Sequence, residues 1–202
     1  MSETYHFAEV AAEPGAPLLF LFHGTGGNEN DLIGLGQQLL PGAHLIAPRG
    51  DVSEGGALRF FKRTSEGVYH MEDFARATAK MSAFIAGRVE ALRPSSVAAL
   101  GYSNGANILA SVLFQQPKLV DTAVLMHPLI PFEPDAQPAL AGRKILITAG
   151  RRDPICPAPL TTKLETYFGA QGAKISTFWH DGGHEIRQDE LQAVGRFLGN
   201  LN

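Results

Sequence analysis

The sequence predicts an α/β fold in which a mostly parallel, twisted sheet carries helices on both faces. Three observations favour this class. Strand and helix signals alternate along the whole chain, as they do when each parallel strand is followed by a crossover helix. An early run, Leu18-Leu19-Phe20-Leu21-Phe22, is apolar at every position, which is typical of a central buried strand. No linker divides the 202 residues, so we expect a single domain over residues 1–202.

The individual elements follow from the positions of these signals. Strands are predicted at 18–22, 44–47, 97–100, 122–127, 144–149 and 174–179. Helices are predicted at about 30–40, 73–92, 104–115, 159–170 and 188–199. Segments 48–71 and 128–140 follow strands at one edge of the predicted sheet and hold apolar residues in otherwise loop-like sequence. We expect these two segments to wall an open site without a large cap domain.

A candidate nucleophile stands between a predicted strand and a predicted helix, in Gly101-Tyr102-Ser103-Asn104-Gly105. A serine on such a sharp turn is a nucleophile elbow, whose flanking glycines avoid a clash with the neighbouring strand and helix. The five-residue pattern is weak by itself in a chain with 22 glycines. Its strand-turn-helix context favours Ser103 as a nucleophile over a serine in an ordinary turn.

A candidate acid and base follow the serine in chain order. Asp153 comes just after the strand predicted at 144–149, and His184 comes after the last predicted strand, beyond two glycines. Both therefore lie at the sheet edge that holds Ser103. His180 competes with His184 for the role of base, but Gly182-Gly183 gives His184 the loop it needs to reach the serine. The four-residue spacing of the two histidines also suggests a metal pair, yet consecutive glycines disfavour the helix that such a pair requires.

A glycine-rich loop follows the first predicted strand, in His23-Gly24-Thr25-Gly26-Gly27. Glycines let a backbone amide approach a substrate closely, so this loop is suited to donate to a developing oxyanion. We expect the N–H groups of Thr25 and Asn104 to form the oxyanion hole, the second of them at a helix N-terminus. We expect His23 to brace its own loop rather than to transfer protons.

These motifs resemble the α/β-hydrolase superfamily and, within it, the small phospholipase/carboxylesterase family. The resemblance covers nearly the whole chain, and the family includes bacterial carboxylesterases and acyl-protein thioesterases. Its anchors are the segments 23–27, 101–105, 153–155 and 182–186. The resemblance implies an α/β-hydrolase fold and a serine hydrolase that uses Ser103, Asp153 and His184. Thioesterase members typically carry Trp-Phe-Asp near the position where this chain has Arg59-Phe60-Phe61, which disfavours a protein-depalmitoylating role.

The leading hypothesis is a carboxylesterase that hydrolyses small to medium esters through an acyl-enzyme. The alternatives are an acyl thioesterase or lysophospholipase with the same residues and, from another class, a hydrolase-fold ligand-binding protein with slow turnover. The expected substrate pocket combines apolar side chains from the two wall segments with one histidine. Its members are Phe60, Phe61, Tyr69, His127, Leu129 and Ile130. The same apolar residues are also compatible with the hydrophobic core.

Composition gives no indication of nucleic-acid or membrane partners. A net charge of −3 and the lack of any Lys/Arg-rich block give no reason to expect nucleic acid or an anionic membrane as partner. No apolar run approaches the ~20 residues of a membrane span, and no secretory signal is recognisable. The single cysteine, Cys156, is typical of a reducing cytoplasm. The loop at 24–27 lacks the endings of phosphate and dinucleotide sites, and the expected serine mechanism requires no cofactor. We therefore expect no cofactor. No third ligand accompanies the two histidines at a recognisable spacing, so we expect no metal, and a homodimer is left open.

Overall fold

The structure, a computed structural model, describes residues 4–199 of the chain. The strands, in chain order, are β1 Phe7–Val10, β2 Leu18–Phe22, β3 His44–Pro48, β4 Val52–Glu54, β5 Ala57–Arg59, β6 Arg63–Ser65, β7 Val68–Tyr69, β8 Val97–Tyr102, β9 Thr122–Met126, β10 Lys144–Gly150 and β11 Lys174–His180. The helices are α1 Ile33–Leu39, α2 Met71–Leu92, α3 Asn104–Gln115, α4 Ala158–Ala170 and α5 Gln188–Gly199.

Seven of these strands form the central sheet within residues 4–199, in the spatial order β1-β3-β2-β8-β9-β10-β11. Every neighbouring pair is parallel except β1 and β3. Chain order reverses between β2 and β8, which lie side by side with Phe22 opposite Gly101. The loops that leave these two strands therefore open a crevice at the carboxyl edge, where α/β sheets bind ligands. The predicted α/β-hydrolase fold is confirmed.

Helices cover both faces of the sheet, each burying its apolar stripe. On one face α2, α3 and α4 contribute residues such as Phe74, Ile108 and Phe168 to the larger core cluster. On the other face α1 and α5 contribute Leu39 and Leu198 to a second cluster. Both clusters rest on the fully apolar strands, so burial of these faces fixes the sheet on which the site is built. None of the helices between residues 4 and 199 is long and apolar enough to cross a bilayer.

The structure adds elements that the sequence did not predict. Phe7–Val10 forms an antiparallel edge strand against β3. The segment 48–71, expected as a loop, folds into two short antiparallel hairpins, β4 with β5 and β6 with β7. The strand predicted to end at His127 ends one residue earlier, because His127 has a φ of 51° and leaves the extended conformation. No cap domain is inserted in the described part of the chain.

Candidate active site

Ser103 occupies a strained turn between β8 and α3. Its backbone lies at φ 53° and ψ −116°, outside the helix that it precedes. The Ser103 N–H donates to the carbonyl oxygen of Met126 at 2.9 Å, which ties the turn to the neighbouring strand. A Cβ on Gly101 would lie 2.3 Å from the Gly105 oxygen, and one on Gly105 would lie 2.0 Å from the Phe22 oxygen. Only glycine fits at either position, as the predicted elbow requires.

The structure brings Ser103, His184 and Asp153 into one hydrogen-bonded line. The Ser103 Oγ lies 2.9 Å from His184 Nε2, and His184 Nδ1 lies 2.7 Å from Asp153 Oδ2. The order of these contacts leaves Nδ1 protonated toward the carboxylate and Nε2 free to accept the serine proton. The competing base His180 instead faces His127, with the two Nε2 atoms 3.4 Å apart.

Asp153 is almost completely buried and accepts hydrogen bonds on both carboxylate oxygens. Oδ1 accepts from the N–H groups of Ile155 at 2.8 Å and Cys156 at 2.9 Å. Oδ2 accepts from His184 and also from His127 Nδ1 at 2.9 Å. Burial by itself would raise the pKa of Asp153, but these four donors outweigh it and hold the pKa below its usual value. Asp153 is therefore an ionised carboxylate in a fixed orientation.

The loop that follows β2 lies against Ser103 from the other side. Gly26 has a φ of 82°, and its N–H donates to the Leu58 oxygen at 2.9 Å. His23 Nδ1 donates to the Gly24 oxygen at 2.7 Å, and Nε2 accepts from the Gly50 N–H at 2.9 Å. Burial lowers the pKa of His23, which matches this neutral tautomer. The ring thus connects the loop to the segment after β3.

Arg59 was not predicted to contact this loop. Its guanidinium is buried, and Nη1 donates to the Thr25 hydroxyl at 2.7 Å. Its Nε lies 3.3 Å from the Phe61 oxygen and 3.4 Å from a carboxylate oxygen of Glu54. Burial, followed by the nearby Arg63 charge, lowers the pKa of Arg59, and guanidinium groups remain charged in proteins. The Thr25 side chain is therefore a fixed acceptor beside the candidate oxyanion hole.

Two asparagines in the first turn of α3 hold the two wall segments. The Asn104 Oδ1 accepts from the Phe60 N–H at 2.8 Å. The Asn107 Oδ1 accepts from the Leu129 N–H at 2.7 Å. The Asn104 main-chain N–H begins α3, where it has no acceptor within the helix and faces the end that favours an anion. One residue therefore supplies a candidate oxyanion donor and also anchors a wall.

A cavity of about 270 Å³ opens at Ser103 and His184, with Thr25, Tyr69 and Leu129 in its lining. Several residues predicted for the pocket lie elsewhere. Phe60 and Phe61 are fully buried in the hydrophobic core. Ile130 lines a separate depression beside α4, and His127 is fully buried behind Asp153. The cavity instead contains charged groups that the sequence did not assign to it, namely Arg59, Arg63 and Glu66.

A second cluster of polar side chains lies behind Asp153. His127 Nε2 is 3.1 Å from Glu190 Oε1, and both side chains are fully buried. His180 lies next to them, with its Nε2 3.4 Å from His127 Nε2 and 3.9 Å from Glu190 Oε2. No sequence motif indicated this cluster, because Glu190 comes from the first turn of α5 and His127 from the end of β9. The only available signal was that His127 follows a strand at the site edge.

Two groups of side chains in residues 4–199 are close enough to share a cation. One is His127, Asp153 and His184, in which the Asp153 carboxylate already accepts a hydrogen bond from each histidine. The other is His127, His180 and Glu190. In that group the His180 Nδ1 accepts from the Gly182 N–H at 3.0 Å, so the ring proton lies on Nε2 and faces the cluster. A protonated nitrogen does not bind a metal, so this donor set favours a hydrogen-bond network.

Two further titratable groups border the site. Burial, followed by the nearby Asp153 charge, raises the pKa of Cys156 well above its usual value, so its thiol is a poor nucleophile. The Tyr102 hydroxyl donates to the His184 carbonyl oxygen at 2.7 Å. Burial and the Asp153 charge raise the pKa of Tyr102 to about 12, so this donor stays protonated. The bond fixes the loop that carries the histidine.

The fold and the arrangement of the site define an α/β-hydrolase, and the comparisons with known proteins agree. The chain belongs to the dienelactone hydrolase family, whose model matches residues 60–191. It is 43% identical to "Putative hydrolase MhqD" of Bacillus subtilis (strain 168), over 87% of this chain and 88% of that protein. The predicted membership of the α/β-hydrolases is thereby confirmed, and the chain is a hydrolase.

Solved structures support the same conclusion. The protein Atu2452 of unknown function from Agrobacterium tumefaciens is similar, with a TM-score of 0.92 and 54% identity over 98% of this chain and 97% of that chain. The Bacillus cereus carboxylesterase has a TM-score of 0.89 and 33% identity over 96% of this chain and 92% of that chain. An esterase-like hydrolase is therefore the class that fold and relatives share.

Proposed function

We propose that the protein is a serine carboxylesterase that hydrolyses small to medium carboxylic esters through an acyl-enzyme. The observation that carries the proposal is the continuous line from Ser103 Oγ to His184 Nε2 at 2.9 Å and from His184 Nδ1 to Asp153 Oδ2 at 2.7 Å. The line begins at an elbow serine and ends at a buried carboxylate. The similarity to the Bacillus cereus carboxylesterase supports an ester as substrate.

The proposed reaction has two halves, acylation of Ser103 and hydrolysis of the acyl-enzyme, and the same residues act in both. His184 Nε2 takes the hydroxyl proton of Ser103 as Oγ attacks the carbonyl carbon, and the pair of electrons moves to the carbonyl oxygen. The N–H groups of Thr25 and Asn104 stabilise that oxyanion. As the tetrahedral intermediate collapses, His184 protonates the leaving alcohol. Water then attacks the acyl-enzyme, with His184 again taking the proton, and the acid is released. Asp153 holds the imidazole and stabilises its charged form throughout.

The size of the cavity supports the substrate range. Its volume of about 270 Å³ lies just below the range of roughly 300–1,000 Å³ that is common for ligand pockets. Charged side chains, among them Arg63 and Glu66, also border it, which disfavours a long apolar chain. We therefore favour short acyl esters over palmitoyl thioesters.

The proposal predicts that a fluorophosphonate labels the protein once, at Ser103, and that nitrophenyl acetate and butyrate are turned over many times. Ser103→Ala should abolish labelling and lower kcat by at least about 10⁴-fold, because the nucleophile is lost. The matched control is Cys156→Ala, which removes the other candidate nucleophile at the cavity and should leave labelling intact. Peptide mass spectrometry locates the adduct.

Each alternative has its own outcome in this experiment. One stoichiometric acylation without turnover would indicate a ligand-binding protein. Faster hydrolysis of long acyl thioesters than of short esters would indicate a thioesterase. An adduct on any residue other than Ser103 would refute the nucleophile assignment.

A further inference from the structure

The carboxylate of Asp153 has two imidazole partners, and the proposed reaction uses only one of them. His184 binds Oδ2 from the side of Ser103. His127 donates to the same oxygen through Nδ1 at 2.9 Å. The two rings lie with their centroids 5.2 Å apart. His127 is fully buried, so this second contact needs a reason of its own.

The other ring nitrogen of His127 faces a second carboxylate. His127 Nε2 lies 3.1 Å from Glu190 Oε1, with both side chains fully buried. Glu190 also accepts from the Thr148 hydroxyl and from the Arg187 N–H, the latter at 3.0 Å. These donors favour an ionised carboxylate at Glu190. His180 Nε2 lies farther away, 3.9 Å from Glu190 Oε2 and 3.4 Å from His127 Nε2.

We propose that His127 is a buried imidazolium that bridges Asp153 and Glu190 and acts as a positioning residue for Asp153. A neutral ring has one N–H and can donate to only one of the two carboxylates, whereas an imidazolium donates to both. The backbone is fitted to this role. His127 adopts a φ of 51°, and its main-chain N–H donates to the Thr148 oxygen at 2.9 Å, which ties its backbone to β10.

The electrostatics agree with this geometry. Burial opposes a charge on His127, but the hydrogen bonds to Glu190 and then to Asp153 outweigh it and raise the pKa of His127. Burial likewise opposes the charge on Glu190, but its bonds to His127 and Thr148 lower its pKa. The titratable groups that contact His127 come from the elements packed around it. They are Tyr102, Asp153, Cys156, His180, His184 and Glu190.

The bridge has a consequence for proton transfer. Two carboxylates and one imidazolium leave a single net negative charge beside a neutral His184. When His184 takes the Ser103 proton, its new positive charge balances that negative charge, and the four side chains together become neutral. The positioning role rests on the proposed serine mechanism, whereas the protonation of His127 does not.

The protonation is tested directly by nuclear magnetic resonance on the full chain. Long-range ¹H–¹⁵N spectra of the imidazole rings are recorded for the inactive variant Ser103→Ala at about pH 8, where an ordinary histidine with a pKa of about 6.5 is neutral. We expect His127 to show two protonated nitrogens and Glu190→Gln to convert it to a singly protonated ring. A singly protonated His127 in Ser103→Ala would overturn the inference whatever the reaction turns out to be.

The positioning role is tested by the pH dependence of kcat/KM in His127→Asn. Asparagine tolerates the left-handed backbone but is too short to reach both carboxylates. We expect the acid limb of the profile to move up by about one pH unit, because a nearby positive charge is lost. His180→Asn is the matched control, since it removes a buried ring of the same cluster that does not contact Asp153, and its profile should not move. Equal profiles for the two variants would refute the positioning role, and if His127→Asn does not fold the spectra still decide the protonation.

Discussion

Two halves of the candidate site meet at Ser103 and are held in place by different interactions. The glycine half comprises the loop after β2 and the elbow after β8, with Thr25 and Asn104. Close backbone approach holds it, since no Cβ fits at Gly101 or Gly105. The charged half comprises the loops after β10 and β11 with the cluster behind them, and buried ionised groups hold it. The glycine half therefore positions the candidate oxyanion donors, and the charged half determines the protonation of the groups behind Ser103.

This comparison predicts different signatures for damage to each half. A change in the glycine half moves a donor without altering a titration, so it should lower kcat and leave the pH profile in place. A change in the charged half should alter both kcat and the pH profile, because the titrating groups there interact.

The largest expected effect is in the charged half. Asp153→Asn should lower kcat by about 10⁴-fold, because an amide does not stabilise the imidazolium of His184 and favours the wrong tautomer. It also leaves the positive charge of His127 with one carboxylate partner fewer. Steady-state kinetics across the pH range check this, with circular dichroism to confirm folding. Asp181→Asn, at an exposed position near the same edge, is the matched control and should stay within about twofold. Similar losses in both variants would mean that Asp153 has no special role.

The next effect is in the glycine half. Gly105→Ala places a Cβ 2.0 Å from the Phe22 oxygen and 2.6 Å from the His23 oxygen, so the end of β2 and the loop beyond it must shift. We expect kcat to fall about 100-fold through the displaced donor and stability to fall by about 2–3 kcal/mol. The matched control is Gly195→Ala in α5, whose Cβ meets nothing nearer than 3.7 Å and should be neutral or stabilising. Wild-type kinetics in a folded Gly105→Ala would contradict the packing argument.

The smallest expected effect concerns the hydrogen bond from the charged Arg59 side chain to Thr25 in the glycine half. Thr25→Val keeps the shape of the side chain but removes the acceptor for Arg59, and we expect about a tenfold loss of kcat. Thr25→Ser keeps the hydroxyl and should remain within about twofold. Both pH profiles should match the wild type, since the proton-transfer groups are untouched. Equal activity of the two variants would show that the Arg59 contact does not stabilise the loop.

The sheet and its helices could be predicted because their signals are local. The apolar run at Leu18–Phe22 and the elbow at Gly101–Gly105 each specify a structure from adjacent residues. β1 was missed since four residues with partial burial carry little pattern. The two hairpins in segment 48–71 were missed because strands of two or three residues carry almost none.

The line from Ser103 to Asp153 could be predicted for a related reason. Each member follows a parallel strand, and the carboxyl ends of such strands share one edge. The residues around the line could not be predicted, because sequence pattern does not separate a core side chain from a pocket side chain. Phe60 and Phe61 are apolar and were assigned to the pocket, yet they are buried in the core while the adjacent Arg59 borders the cavity. Glu190 faces His127 across 63 positions of sequence, a pairing that only packing determines.

The two asparagines of α3 tie both walls of the site to one helix. Asn104 anchors the first wall and Asn107 anchors the second, each through one side-chain amide in the first turn of that helix. The two walls also contact each other, because the Tyr69 hydroxyl donates to the Leu129 carbonyl oxygen. A change in one wall is therefore transmitted to the other, and re-engineering the specificity of such a hydrolase requires that both walls be exchanged as a unit.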